Sequence, residues 1–148
     1  MRRIFAAIST AVLMAGTATA MEGVPHVSAY ISDYCQYGVF ADEPVMPLGP
    51  FPVGQPQPIN YSGRGFCKGA FSGDVVTCLE RSSWSGYRDV DCKSGHLDRQ
   101  HSEVRNQGVG HCLRGTYTYR VHSTIMISTP GGDFNDAAYS SEHRWACP

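Results

Sequence analysis

CLRGTYTYRVHSTIMISTPGGDFNDAAYSSEHRWAC, residues Cys112 to Cys147, is the stretch whose pattern decides the fold. From Thr116 to Ser128 the side chains alternate. Tyr117, Tyr119, Val121, Ile125 and Ile127 fall on one side, and Thr116, Thr118, Arg120, His122 and Thr124 on the other. A period of two marks a half-buried strand. Thr129-Pro-Gly-Gly-Asp133 supplies turn chemistry, and a second run from Ala137 to Ala146 returns toward Cys147. The stretch predicts a long hairpin with a cysteine at each end.

The chain holds six cysteines, Cys35, Cys67, Cys78, Cys92, Cys112 and Cys147. An even number in an oxidising compartment predicts three disulfides, and no Cys-x-x-Cys pair points to zinc. Val75 to Leu79 and Tyr87 to Cys92 look like neighbouring strands joined through Ser82 to Gly86. Parity puts Cys78, Cys92, Val76 and Val90 on one face, so Cys78 and Cys92 pair, with a loop closure worth about 3 kcal/mol. Strict alternation sets Cys112 in step with the polar residues of its strand and Cys147 with Tyr139 and Trp145. Their pairing therefore needs a bulge, or a Cys112 in the loop before the strand, and Gly115 permits either. Cys35 and Cys67 are then left for each other. The competing arrangement links Cys67 or Cys78 to Cys112 between sheets, like the bridge that crosses immunoglobulin sandwiches.

Arg2 and Arg3, the apolar run Ile4 to Ala15 and Ala18-Thr19-Ala20 describe a secretory signal peptide over residues 1–20, followed by a single domain over 21–148. The expected location is therefore extracellular or in the cell envelope, with no membrane span once the leader is removed. Of 12 basic and 13 acidic residues, two arginines lie in that leader, so the remainder is net acidic. The charges are scattered singly, which shows neither a nucleic-acid footprint nor a polybasic membrane patch along the chain.

Residues 21–148 show no sustained helical period. Val24 to Phe40 predicts one or two short strands, with Val27, Ala29 and Ile31 alternating and Gly38 as a break. Residues 41–58 contain six of the nine prolines and predict a surface connection between sheets. Asn60-Tyr61-Ser62 has the form of a glycosylation sequon. The glycines between Tyr61 and Ala70 suggest a turn, and the polar segment Lys93 to Gly110 one weak strand at Ser102 to Arg105. Short strands, frequent turns and no helix pattern predict an all-β, antiparallel sandwich stapled by disulfides.

The run VVTCLERSSWSGYRDVDC, then HCLRGTYTYRVHSTI and a cysteine at the far end, resembles small secreted, cysteine-bearing, immunoglobulin-like proteins of actinobacteria. The shared elements are a V-T-V-x-L-like strand, an aromatic before a second short strand, and C-x-x-G-T-Y leading into a hairpin. The resemblance covers about Cys67 to Cys147. It implies an immunoglobulin-like fold and export, and it brings no catalytic residues.

Signals for chemistry are weak. His96, His101, His111 and His122 lack a recognised ligand spacing. No G-x-S-x-G elbow occurs. Asp89 and Asp91 share a strand face by parity, and solvated charge explains them better than a glycosidase pair. Tyr117, Tyr119 and Trp145 are expected in the core, with Tyr139 and Tyr87 on neighbouring strands. Trp84, in a serine-rich turn, is the expected exposed contact residue. The leading expectation is a secreted, non-enzymatic binding module without a cofactor, its partner an extracellular protein or glycan. Contacts would come from Ser82 to Gly86 and Pro130 to Asn135. The alternatives are a protease inhibitor or antagonistic toxin presenting the loop Glu80 to Tyr87, and a small hydrolase.

Overall fold

The computed structural model describes residues 26–31, 34–69 and 71–148, so the expected leader at 1–20 lies outside the described residues. Among the described residues, nine strands form two antiparallel sheets. They are β1 (His26–Ile31), β2 (Cys35–Ala41), β3 (Pro58–Gly69), β4 (Ser72–Ser83), β5 (Gly86–Leu97), β6 (Glu103–His111), β7 (Gly115–Thr129), β8 (Gly132–Tyr139) and β9 (His143–Cys147). One sheet has the order β1-β2-β3-β6; the other runs β5-β4-β7-β8, with β9 also on β7. Among the described residues no helix is long and apolar enough to cross a membrane.

The deciding stretch behaves as its alternation predicts. Tyr119, Val121, Ser123, Ile125 and Ile127 are buried, while Arg120, His122 and Thr124 are only partly covered. Tyr117 and Trp145 pack against the core from its margin. The return run is interrupted. β8 pairs with His122 to Thr129, β9 pairs with Gly115 to Tyr119, and Ser140 bridges the gap. Its hydroxyl accepts the Val121 N–H at 2.8 Å and its own N–H donates to the Val121 carbonyl, so Val121 keeps both backbone partners.

The three disulfides are Cys35–Cys67, Cys78–Cys92 and Cys112–Cys147, so neither Cys67 nor Cys78 bonds Cys112 as the competing arrangement required. Cys112 lies in the loop before β7, and Gly115, at φ 119°, starts the strand opposite Cys147. The left-handed region suits glycine there.

Several expectations are corrected. The register jumps from Leu79↔Asp91 to Glu80↔Asp89, which leaves Val90 as an unpaired bulge residue. Val90 consequently packs against the core beside Leu79 instead of sharing a face with Cys78, Cys92 and Val76. The same bulge breaks the parity of Asp89 and Asp91: Asp89 is exposed beside Glu80, whereas Asp91 accepts a bond from the core residue Tyr61. The proline-rich connection leaves β2 and returns to β3 of the same sheet; it does not pass between sheets. Its only ladder contact among the described residues is Val45↔Asn60. The glycine-rich segment after Tyr61 is strand, not turn, and the polar segment after Lys93 extends β5 to Leu97 and holds all of β6. Gly38 sits inside β2, where a Cβ would stand 2.7 Å from the Phe66 ring.

The glycines explain how the sheets meet. A Cβ on Gly63 would stand 2.1 Å from the Ser123 hydroxyl, and one on Gly65 would stand 2.6 Å from Val75. The two β3 glycines thus let the bulkier inner face of the other sheet approach. At that contact Thr77 and Ser123 share a buried hydrogen bond of 3.0 Å, and the Asn106 amide donates to the Val75 carbonyl at 2.9 Å. Tyrosines of the first sheet bind aspartates on both edge strands of the second. Tyr37 donates to Asp136 on β8 and Tyr61 to Asp91 on β5, each at 2.6 Å. Burial, reinforced by the aspartate, pushes the Tyr37 phenol up to about 12 and holds Tyr61 well above its ordinary range.

Candidate functional site

The strand order places the turns β1–β2, β3–β4, β5–β6 and β7–β8 at one end of the molecule. The connections β2–β3, β4–β5 and β6–β7, with the end of β9, lie at the other. This second end carries the three most exposed large apolar side chains among the described residues. Leu48 and Val53 of the proline-rich connection are fully exposed, at 103% and 105%. Trp84 is 93% exposed at the tip of the β4–β5 hairpin.

The hairpin tip stands on a fixed base. Ser83 pairs with Gly86, so only Trp84 and Ser85 form the turn, and the Ser83 hydroxyl donates to the Gly86 carbonyl at 2.9 Å. The Thr118 N–H donates to the Ser82 hydroxyl at 3.0 Å, tying the hairpin to β7. The Cys78–Cys92 bridge joins the same two strands farther along. The proline-rich connection is held at its roots. Cys112 donates from its backbone to the Gln57 carbonyl at 2.8 Å, and a cavity of about 400 Å³ is shared by Gly54, Pro56, Leu113, Arg114 and Pro148. Tyr119 closes the neighbouring β6–β7 loop, its hydroxyl accepting the Leu113 N–H at 3.0 Å.

The outer face of the β5-β4-β7-β8 sheet carries the densest charge cluster. Arg120 Nε donates to Glu80 at 2.6 Å, and His122 Nδ1 stands 3.2 Å from the other Glu80 oxygen. The Arg120 guanidinium lies 3.8 Å from the Tyr87 ring and 4.5 Å from the Tyr139 ring. His122 stacks on Tyr139 at 4.4 Å. Burial raises the Glu80 pKa, but the bonds from His122 and Arg120 outweigh it and hold the carboxyl below its ordinary value. Tyr87, pushed up to about 12 by burial and by its bond to Glu142, stays a neutral donor. Arg120 thus fills its own aromatic slot, and Glu80 has both oxygens engaged.

The histidines singled out for metal or catalysis are dispersed. His96 pairs with Asp74 at 2.9 Å, His101 with Asp98 at 3.2 Å and His122 with Glu80, while His111 is exposed at the end of β6. Cys78, Cys92 and Asp89 lie close together, but both sulfurs are consumed by the disulfide and offer no thiolate to a cation. A groove of about 420 Å³ opens between the start of the proline-rich connection and the β3–β6 pair, lined by Glu43, Val45, Asn60, Ser62 and Gln107. Glu43 is its carboxylate, and both oxygens are in use: one accepts the Ser141 N–H at 3.0 Å, the other faces His143 Nε2 at 2.5 Å. Burial pushes Glu43 up, yet those bonds hold it low. A carboxylate so held is a poor proton donor near neutrality.

Trp84 is the exposed residue that the sequence singles out; Leu48 and Val53 are not, because only the strand order places their connection at the same end as the β4–β5 hairpin. In comparisons with family models, curated proteins and solved structures, nothing matches this chain.

Proposed function

We propose that the protein is a secreted, non-enzymatic binding module that meets its target with the end carrying Trp84, Leu48 and Val53. The observation that carries this reading is Trp84, 93% exposed on a two-residue turn whose base is bonded to β7. A large aromatic held in water on a rigid support is the usual form of a contact anchor. Three disulfides suit an oxidising compartment and thereby support export. The engaged state of Glu43 and Glu80 favours binding over hydrolysis.

The immunoglobulin-like reading draws support from the layered architecture and from Tyr119. Its hydroxyl reaches back to the backbone six residues upstream, a corner closure that recurs in immunoglobulin-like sandwiches. The order β1-β2-β3-β6 keeps three consecutive strands in one sheet. Side-by-side capture from the producing organism's envelope and culture fluid, with the natural protein and Trp84→Ala, tests the function. The proposal expects a retained component that the variant loses. Identical capture by both proteins would overturn it.

A further inference from the structure

We propose that the target of this end is an anionic lipid surface, into whose headgroup layer Leu48, Val53 and Trp84 insert. The inference rests on the binding reading above and names the chemistry of its partner.

Two observations carry it. The first is shape. The three exposed side chains stand on two separate projecting segments, the proline-rich connection and the β4–β5 hairpin. A protein partner would need a matching pocket for each projection, whereas the lipid interface accepts independent apolar groups wherever they enter. Tryptophan, with an apolar body and one N–H donor, suits that layer. Exposed apolar patches mark either protein or membrane contacts, and here the apolar groups are fully exposed loop side chains.

The second observation is charge. Residues 44–57, 81–88, 111–118 and 144–148 build this end and carry Arg81, Arg88, Arg114 and Arg144, with no acidic side chain among them. Arg88, Arg114 and Arg144 are exposed. Arg81 stands opposite Arg88 across the hairpin ladder, but its guanidinium lies 4.9 Å from the Tyr117 ring, so the charge offered to a surface is that of Arg88, Arg114 and Arg144. The nearest carboxylates are Glu80, already bonded to Arg120, Glu142, bonded to Tyr87, and Asp89. A protein whose sequence is net acidic thus presents three exposed arginines, Arg88, Arg114 and Arg144, beside the apolar tips of this end. Apolar insertion with basic side chains beside it is the combination that holds peripheral proteins on anionic bilayers.

The test is co-sedimentation with vesicles of phosphatidylglycerol and phosphatidylcholine in equal parts, against pure phosphatidylcholine, at low and high salt. The control is the triple variant Leu48→Ser, Val53→Ser, Trp84→Ser, which has the same residues 1–25 and alters only solvent-facing side chains. A second variant, Arg114→Glu with Arg144→Glu, isolates the charge. The proposal expects binding to the anionic vesicles alone, weakened by salt, and reduced about tenfold or more in each variant. It also expects a blue shift of emission on binding that Trp84→Phe abolishes.

Equal binding to neutral vesicles, unchanged binding by the triple variant, or no binding at all would overturn the lipid assignment. Concentration-dependent self-association that the triple variant removes would overturn it in favour of a second copy. The capture comparison with Trp84→Ala would still decide the binding reading on its own.

Discussion

The two ends of the sandwich are built in opposite ways. At the end formed by the β1–β2, β3–β4, β5–β6 and β7–β8 turns, polar side chains close the β5–β6 and β7–β8 loops. The Asp98 carboxylate accepts the N–H groups of Gln100 and His101 at 2.8 and 2.7 Å, and the Thr129 hydroxyl accepts from Gly131 and donates to Gly132. At the opposite end the loops are anchored at their roots, by Cys112–Cys147, Gln57 and Ser82, and their tips offer Leu48, Val53 and Trp84 to solvent. Side chains that satisfy a loop's own backbone are unavailable for contact. Tips held from below leave theirs free.

The largest expected effect comes from cutting the root of the apolar end. Replacing Cys112 and Cys147 with serine should cost about 4 kcal/mol in the chain-entropy picture, read as a lower urea midpoint. Replacing Cys35 and Cys67 should cost nearly as much, since the separations are 35 and 32 residues. The two variants should differ in where amide exchange accelerates: around Leu113 and β9 for the first, around Tyr34 and Gly69 for the second. Acceleration in the same place for both would erase the distinction between the ends.

Gly63→Ala tests the layer between the ends. Its methyl group must displace Ser123 and Thr77, both buried, and should cost up to about 3 kcal/mol while affecting the two ends alike. A neutral result in chemical unfolding would mean that the sheets stand farther apart.

Glu80→Gln follows, at about 2 kcal/mol, because the change leaves Arg120 and His122 without their shared carboxylate. The pH dependence has a definite sign. The folded-state pKa of Glu80 lies below its unfolded value, so its contribution is complete above the ordinary carboxylate range and is lost as pH falls through the lowered value. Glu43 behaves in the same way. Acid titration of stability should therefore be shallower in Glu80→Gln than in the natural protein. Parallel curves would contradict the pairing.

The smallest effects separate the ends most cleanly. Leu48→Ser and Val53→Ser should leave stability within about 0.5 kcal/mol, since neither side chain is covered. Asp98→Ala at the polar end should speed amide exchange at Gln100 and His101, whose N–H groups lose their acceptor. Exchange unchanged at both amides would show that the loop closes without the carboxylate.

What the sequence disclosed follows the range of each interaction. Alternation along β7, the turn chemistry at Thr129 to Asp133 and the cysteine parity of Cys78 and Cys92 are local, and they gave the all-β class and a disulfide. The bulge at Val90 was invisible, because one unpaired residue changes no composition yet reverses the faces of Val90 and Asp89. The β3 glycines misled, since Gly63 and Gly65 resemble a turn until Ser123 and Val75 are seen opposite them. The apolar end required the complete strand order, which no stretch of the chain contains.

One end of the sandwich leaves Leu48, Val53 and Trp84 uncovered. Acrylamide quenching of Trp84 alone, in the Trp145→Phe background and at low protein concentration, measures this directly. Quenching should be as efficient as that of a free tryptophan peptide, with emission at the position found in water. A shielded, blue-shifted Trp84 in the isolated protein would contradict it.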